Sequence, residues 1–158
     1  MKQNTSGIDR EQLVPCLRSG YRIEAVSLVF VPGGEEAYNF VAESIVGERF
    51  LIRLQPPSEA HDLESSLQIA AVLRDRGSIP SIVAALPTRQ GALTTAIDAY
   101  QVALFPFVEG ETAYVRTLPD RSFVRLGSLL AEIHGAAGAV RALRLPRETF
   151  VNPFRQPI

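Results

Sequence analysis

The chain has 158 residues, enough for one domain or for one lobe of a larger fold with an extension. Hydrophobic residues make up 46% of it and charged residues 21%, which excludes a disordered chain. The formal net charge of -1 excludes the basic excess of a general nucleic-acid surface, so any partner is met through a local site.

Residues 9–19 read as a short N-terminal helix packed by Leu13, Val14 and Leu17. Pro15 interrupts it and is expected to move its start later, and Gly20 is expected to end it. Residues 23–31 are rich in β-branched side chains and read as a strand. Pro32-Gly33-Gly34 follows as a turn, and residues 38–46 as a second strand. Gly47-Glu48 turns the chain into a third strand over residues 50–54, completing an antiparallel meander. Strand alternation places Leu51 and Arg53 on one face and Phe50, Ile52 and Leu54 on the other. One face can then line a cleft while the other packs on the helix.

Pro56-Pro57 breaks the β pattern, and Ser58 is placed to cap a helix over residues 58–76. Leu63, Leu67, Ala70 and Leu73 share one face of that helix, and Gly77 ends it. Strands are expected over residues 82–88 and 100–107, with a weaker one over 93–97. Val108-Glu109-Gly110 reads as a linker. The last clear element is a helix over residues 118–134, with Thr117 and Asp120 as a capping pair and Pro119 in its first turn. Phe123, Leu126, Leu129, Leu130 and Ile133 form its apolar stripe. The pattern gives an α+β fold: an antiparallel sheet of about five strands with one helix on a face, then a linker and a further helix.

Cys16 is the only cysteine, so no intramolecular disulfide forms, and with only His61 and His134 beside it a structural zinc site is not expected. Cys16 reads as a small core residue and His134 as a helix-end residue. No apolar run reaches the roughly 18 residues needed to span a bilayer. Residues 1–9 lack an apolar core, so no signal peptide is read there, and a cytoplasmic location is expected.

Three stretches then carry a resemblance across residues 20–155. They are Val31-Pro-Gly-Gly-Glu-Glu-Ala-Tyr-Asn39 with Phe50-Leu-Ile-Arg-Leu54, residues 66–77 followed by Ile82-Val83 and Thr88, and Ala103-Leu-Phe-Pro-Phe-Val-Glu-Gly110 followed by Leu126-Gly-Ser-Leu-Leu-Ala-Glu-Ile-His134. In order and spacing they resemble the N-terminal lobe of the aminoglycoside phosphotransferase and kinase-like family, most similar to its spectinomycin phosphotransferase type. The resemblance divides the chain into an N-terminal helical extension (1–19), a kinase-like N-lobe (20–109), and a linker with the start of a C-lobe (110–158).

The resemblance also implies site roles. Gly33-Gly34 would close over nucleotide phosphates, although Glu35 and Glu36 beside it would repel them unless turned away. Arg53 stands where the family commonly has a phosphate-binding lysine. Glu64 would pair with Arg53, with Asp62 and Glu59 as rivals. Phe105 to Gly110 resembles the adenine-holding hinge, with the Pro106 C=O accepting, the Val108 N–H donating, and Leu51 and Phe105 beside the base. ATP is the implied cofactor, with Mg²⁺ in the full-length family.

After Gly110 the acids are Glu111, Asp120, Glu132 and Glu148, the only Asn is Asn152, and no His-x-Asp-x-x-x-x-Asn pattern occurs. These residues supply no catalytic Asp and no Mg²⁺ ligands of the family type. The chain alone is expected to bind nucleotide weakly and to be inactive as a phosphotransferase. The competing reading is a non-enzymatic, kinase-like interaction module, with self-association through the helix over 118–134.

Overall fold

In a computed structural model, residues 8, 10–32, 37–56, 63–111, 117–143 and 145 are described. Their elements run α1 (Arg10–Tyr21), β1 (Ala25–Val31), β2 (Tyr38–Ser44), β3 (Arg49–Gln55), α2 (Leu63–Asp75), β4 (Thr95–Ile97), β5 (Tyr100–Pro106), α3 (Asp120–Gly135) and α4 (Ala137–Val140). The strands form one five-stranded antiparallel sheet in the order β1-β2-β3-β5-β4. The α+β architecture and the strand number agree with the sequence pattern.

Alternation along the strands divides the sheet into two faces. Phe40, Ala42, Ile52, Leu54, Val102 and Leu104 face one way and form a core with Ile97 and with Leu13 and Leu17 of α1. The helix on the Phe50, Ile52 and Leu54 face is therefore α1. The other face carries Ala103, which packs with Leu63 and Leu67 of α2, with Ala85, and with Phe105 at the edge. The sheet is covered by two helices, where the sequence pattern assigned it one.

Helix α1 contains both Pro15 and Gly20, contrary to the expected late start and early stop. Pro15 lies beyond the first turn, so the bond its N–H would make to Glu11 is missing. Complete burial of Leu13 and Leu17 on either side of it offsets that loss. Arg22 at φ 59° ends the helix, and the Ile23 N–H returns to the Leu17 carbonyl at 3.2 Å. At the β2–β3 turn the Gly47 N–H donates to the Ser44 carbonyl at 2.9 Å, and Gly47 takes φ 80°, a conformation that favours glycine.

Residues 82–88 form no strand. The segment meets β5 at Leu86, whose N–H donates to the Leu104 carbonyl at 2.7 Å. Pro87 has no N–H to continue a ladder, so pairing passes to β4 at Thr95–Ile97. The proposed capping start at Ser58 lies outside the described residues, within which α2 begins at Leu63.

Helix α3 begins at Asp120, two residues later than the capping pair required. Pro119 is its N-cap in extended backbone, with no side-chain cap, and the Ser122 N–H donates to the Pro119 carbonyl at 2.8 Å. The residue before a proline is held out of the helical region, which stops Thr117-Leu118 from joining the helix. None of the α3 side chains is buried. Helix α4, which the sequence pattern missed, packs on the end of α2.

Candidate functional site

Strands β3 and β5 lie side by side, with Leu51 paired to Phe105 and Arg53 to Ala103. This register sets Leu51, Arg53 and Phe105 on one face, and Asn39 of β2 joins them by pairing with Arg53. The chain leaving β5 curls around the end of this face. The result is a cleft of about 370 Å³ lined by Asn39, Leu51, Arg53, Val83, Phe105, Pro106, Phe107 and Val108. Val83 and Val108 are well exposed, so the cleft is open on one side.

The backbone at the cleft rim has a fixed direction. The Phe107 N–H donates to the Arg49 carbonyl at 3.1 Å, toward β3. Leu104 turns its carbonyl the opposite way, to Leu86. Backbone groups of alternate residues point alternately to the two neighbours of a strand. The Pro106 C=O therefore points with that of Leu104, away from β3. Pro106 lacks an N–H, but at this edge only its acceptor is exposed to the cleft.

Five residues singled out in the sequence, Leu51, Arg53, Phe105, Pro106 and Val108, thus line one cleft. Gly33 and Gly34 lie outside the described residues, as do Glu59, His61 and Asp62. Glu64 sits in the first turn of α2, where its carboxylate accepts from the Thr94 hydroxyl at 3.1 Å. The Arg53 Nε donates to Gln55 Oε1 at 3.1 Å. An Arg53–Glu64 pair is not among the ion pairs of the described residues.

Asn39, Val83 and Phe107 line the cleft without having been singled out. Strand parity carries the signal for Asn39, since the meander register opposes it to Arg53. Val83 stands in a stretch that carries the resemblance, but the strand read over residues 82–88 gave it no place at the cleft. Among the described residues no three His, Cys, Asp or Glu side chains are grouped to hold a metal ion, and no helix is long and apolar enough to cross a membrane.

A second hollow of about 380 Å³ lies between Ser81 and α3, lined by Arg125, Leu126, Ser128, Leu129 and Glu132. Its lining mixes polar and charged side chains with two leucines. Cys16 packs against the α1 core, and burial raises its thiol above the ordinary range.

No curated protein sequence matches the chain. Among solved structures, spectinomycin phosphotransferase in complex with ADP and spectinomycin matches with a TM-score of 0.74 at 23% identity, over 84% of this chain and 39% of that one. The AMP-bound complex of spectinomycin phosphotransferase matches with a TM-score of 0.68 at 22% identity, over 82% of this chain and 38% of that one. An amicoumacin kinase in complex with AMP-PNP, Ca²⁺ and its antibiotic matches with a TM-score of 0.63 at 14% identity, over 82% and 40%. The chain thus spans about 39% of the length of the first of these structures, and at such identities the likeness concerns the fold. The sequence itself matches the phosphotransferase enzyme family over residues 27–157, most of its length, and on that match the chain belongs to the phosphotransferase enzyme family.

Proposed function

We propose that this chain is the nucleotide-binding lobe of an ATP-dependent phosphotransferase of the spectinomycin type, acting in the full-length family on a hydroxyl of an antibiotic or other small molecule. The observation that carries this reading is the convergence of Leu51, Arg53, Phe105, Pro106 and Val108 on one cleft. Adenine would lie against Leu51 and Phe105, with its amino group donating to the Pro106 C=O and a ring nitrogen accepting from the Val108 N–H. Arg53 would face the phosphates, where its charge is favourable. Matching structures that carry ADP, AMP and AMP-PNP support the choice of ligand. The supply of ATP makes the cytoplasm the natural place of action.

The chemistry of transfer is a different matter. Phosphoryl transfer rests on positioning and on charge stabilisation around the phosphates, much of it from Mg²⁺. Glu111, Asp120 and Glu132 do not gather into a ligand set, so these residues do not fit the ion. The 158 residues alone are therefore expected to bind nucleotide without turning it over.

NMR titration with ATP and with adenosine tests the reading. A one-walled cleft buries less of a ligand than the roughly 70–90% of an enclosed pocket. Dissociation constants near or above about 1 mM, worth about 4 kcal/mol, are expected. Arg53→Ala should weaken ATP more than adenosine. Equal effects on the two, or shifts scattered away from Val108 and Leu51, would remove the nucleotide site. Radiolabelled ATP with spectinomycin tests the second half, where stoichiometric transfer above a protein-free blank would refute it.

One observation favours an interaction module as a second reading. Helix α3 exposes Phe123, Val124, Leu126 and Leu130, and an apolar surface of that kind associates with a partner or a second copy.

A further inference from the structure

The adenine-facing rim of the cleft is tied to the first residue of β3. Arg49 reaches the chain after β5 in three ways. Its carbonyl accepts the Phe107 N–H at 3.1 Å. Its guanidinium stacks on the Phe107 ring, 3.9 Å from the ring centroid. Its Nη1 meets the Glu109 carboxylate. Phe107 lies between Pro106 and Val108, so the same contacts that hold Phe107 toward β3 set the direction of its two neighbours.

We propose that Arg49 is a positioning residue for nucleotide binding, a clamp that holds Phe107 so that the Pro106 C=O and Val108 N–H face the base. This inference rests on the nucleotide-binding reading above. Arg49 does not line the cleft and acts through Phe107. Alone, the Arg49–Glu109 pair is exposed and would count for little, with side chains 42% and 73% accessible. The stacked ring and the backbone bond change that, because one residue makes all three contacts, two through its planar guanidinium and one through its carbonyl, and so restricts the segment. The chain needs such a restraint here. β5 ends at Pro106, Arg49 is the first residue of β3 and so its last partner on this side, and Gly110 follows within three residues of Phe107. Lysine could keep the ion pair but not the flat stack, so arginine is required for the full effect.

The test uses the full chain and three variants: Arg49→Ala, Arg49→Lys and Glu109→Gln. Amide hydrogen exchange without ligand reads the clamp directly. Arg49→Ala should speed exchange at Phe107 several-fold while the Ile52 amide at the sheet centre keeps its protection. Titration then reads the consequence. Arg49→Ala should weaken adenosine and ATP by the same factor, about 3- to 10-fold, given the usual size of cation–π and exposed ionic contacts. This contrasts with the ATP-selective effect of Arg53→Ala. Arg49→Lys should recover part of the loss, and Glu109→Gln should cost less than Arg49→Ala. If the wild-type chain binds no adenosine, the nucleotide reading fails, and with it the positioning role. Unchanged Phe107 exchange in Arg49→Ala would overturn the clamp. Faster exchange with wild-type adenosine affinity would overturn the positioning role and leave a purely structural contact.

Discussion

Tyr21 closes α1 and directs its hydroxyl toward the Val102 carbonyl, 3.5 Å away, tying the helix to the central part of β5. Burial raises the phenol well above its ordinary value of 10, and the charges of Cys16 and Glu64 raise it further. The phenol is thus harder to ionise in the folded chain than in the unfolded one. Its contribution to stability is complete below about pH 10 and falls as pH rises beyond that, because the unfolded state then holds fewer protons. Cys16, raised by burial, acts in the same sense just below that range. Urea unfolding at pH 8 and above pH 10 should show a lower midpoint at the higher pH, and Tyr21→Phe should flatten that dependence. Alternation along β3 made the grouping of Leu51 with Arg53 legible in the sequence, since period two is a property of any strand. The partner of Glu64 was not legible, because Thr94 lies 30 residues away and no local spacing links the two.

At the scale of elements, the helix ends separate what glycine signals from what it does. Sequence pattern marks Gly77 as the stop of α2, and the helix does finish there. The residue in the left-handed region, however, is Ser78 at φ 55°. Gly77 is needed for space: a Cβ on it would lie 2.4 Å from the Leu73 carbonyl oxygen and 3.2 Å from the Ala136 Cβ. The first contact involves backbone, which cannot turn aside as a side chain can. Gly77→Ala should destabilise the fold by about 1–3 kcal/mol, the usual range for an overpacked site, and a denaturation midpoint will measure it. Because Ala136 adjoins α4, chemical shifts of Ala137–Val140 should move as well. Gly20 is the converse, a glycine placed inside α1 while Arg22 takes the left-handed conformation. The strand read over residues 82–88 failed for a related reason. Its β-branched and apolar content resembles a strand, but Pro87 interrupts the donors and only Leu86 bonds to β5.

At the scale of the whole molecule, the apolar face of α3 is the feature most open to association. Asp120, Phe123, Gly127, Leu130 and His134 recur at spacings of three and four, the seam along which helices pair. Gly127 lies at its middle, with open space where a Cβ would stand. Two copies crossing antiparallel at Gly127 would set Asp120 of one against His134 of the other, with Val124 and Leu130 between them. Sedimentation equilibrium should therefore show the 158-residue chain dimerising as concentration rises. Phe123→Glu and Leu130→Glu should each return it to a monomer without lowering its urea midpoint, since neither side chain is buried. A concentration-independent monomer would count against the seam. The sequence pattern named this stripe, and the self-association expected of the helix over 118–134 already required the exposure that Phe123, Leu126 and Leu130 show.

The burial of Leu13 and Leu17 has a practical consequence for where the protein can be cut. The family match begins at residue 27, after the whole of α1, yet both leucines are inaccessible to solvent among Phe40, Ile52, Leu54, Val102 and Leu104. Similarity in sequence therefore draws its border through the middle of a folding unit. Loss of one buried leucine commonly costs about 2–5 kcal/mol, and two such losses rival the roughly 5–15 kcal/mol that holds a domain together. A recombinant piece trimmed to residues 27–158 should thus emerge without a sharp unfolding transition and with its sheet open to hydrophobic dyes, while a piece starting at residue 8 should melt cooperatively. A helix of 12 residues outside the recognised family region would then set the shortest portion of this gene product that can be handled in solution.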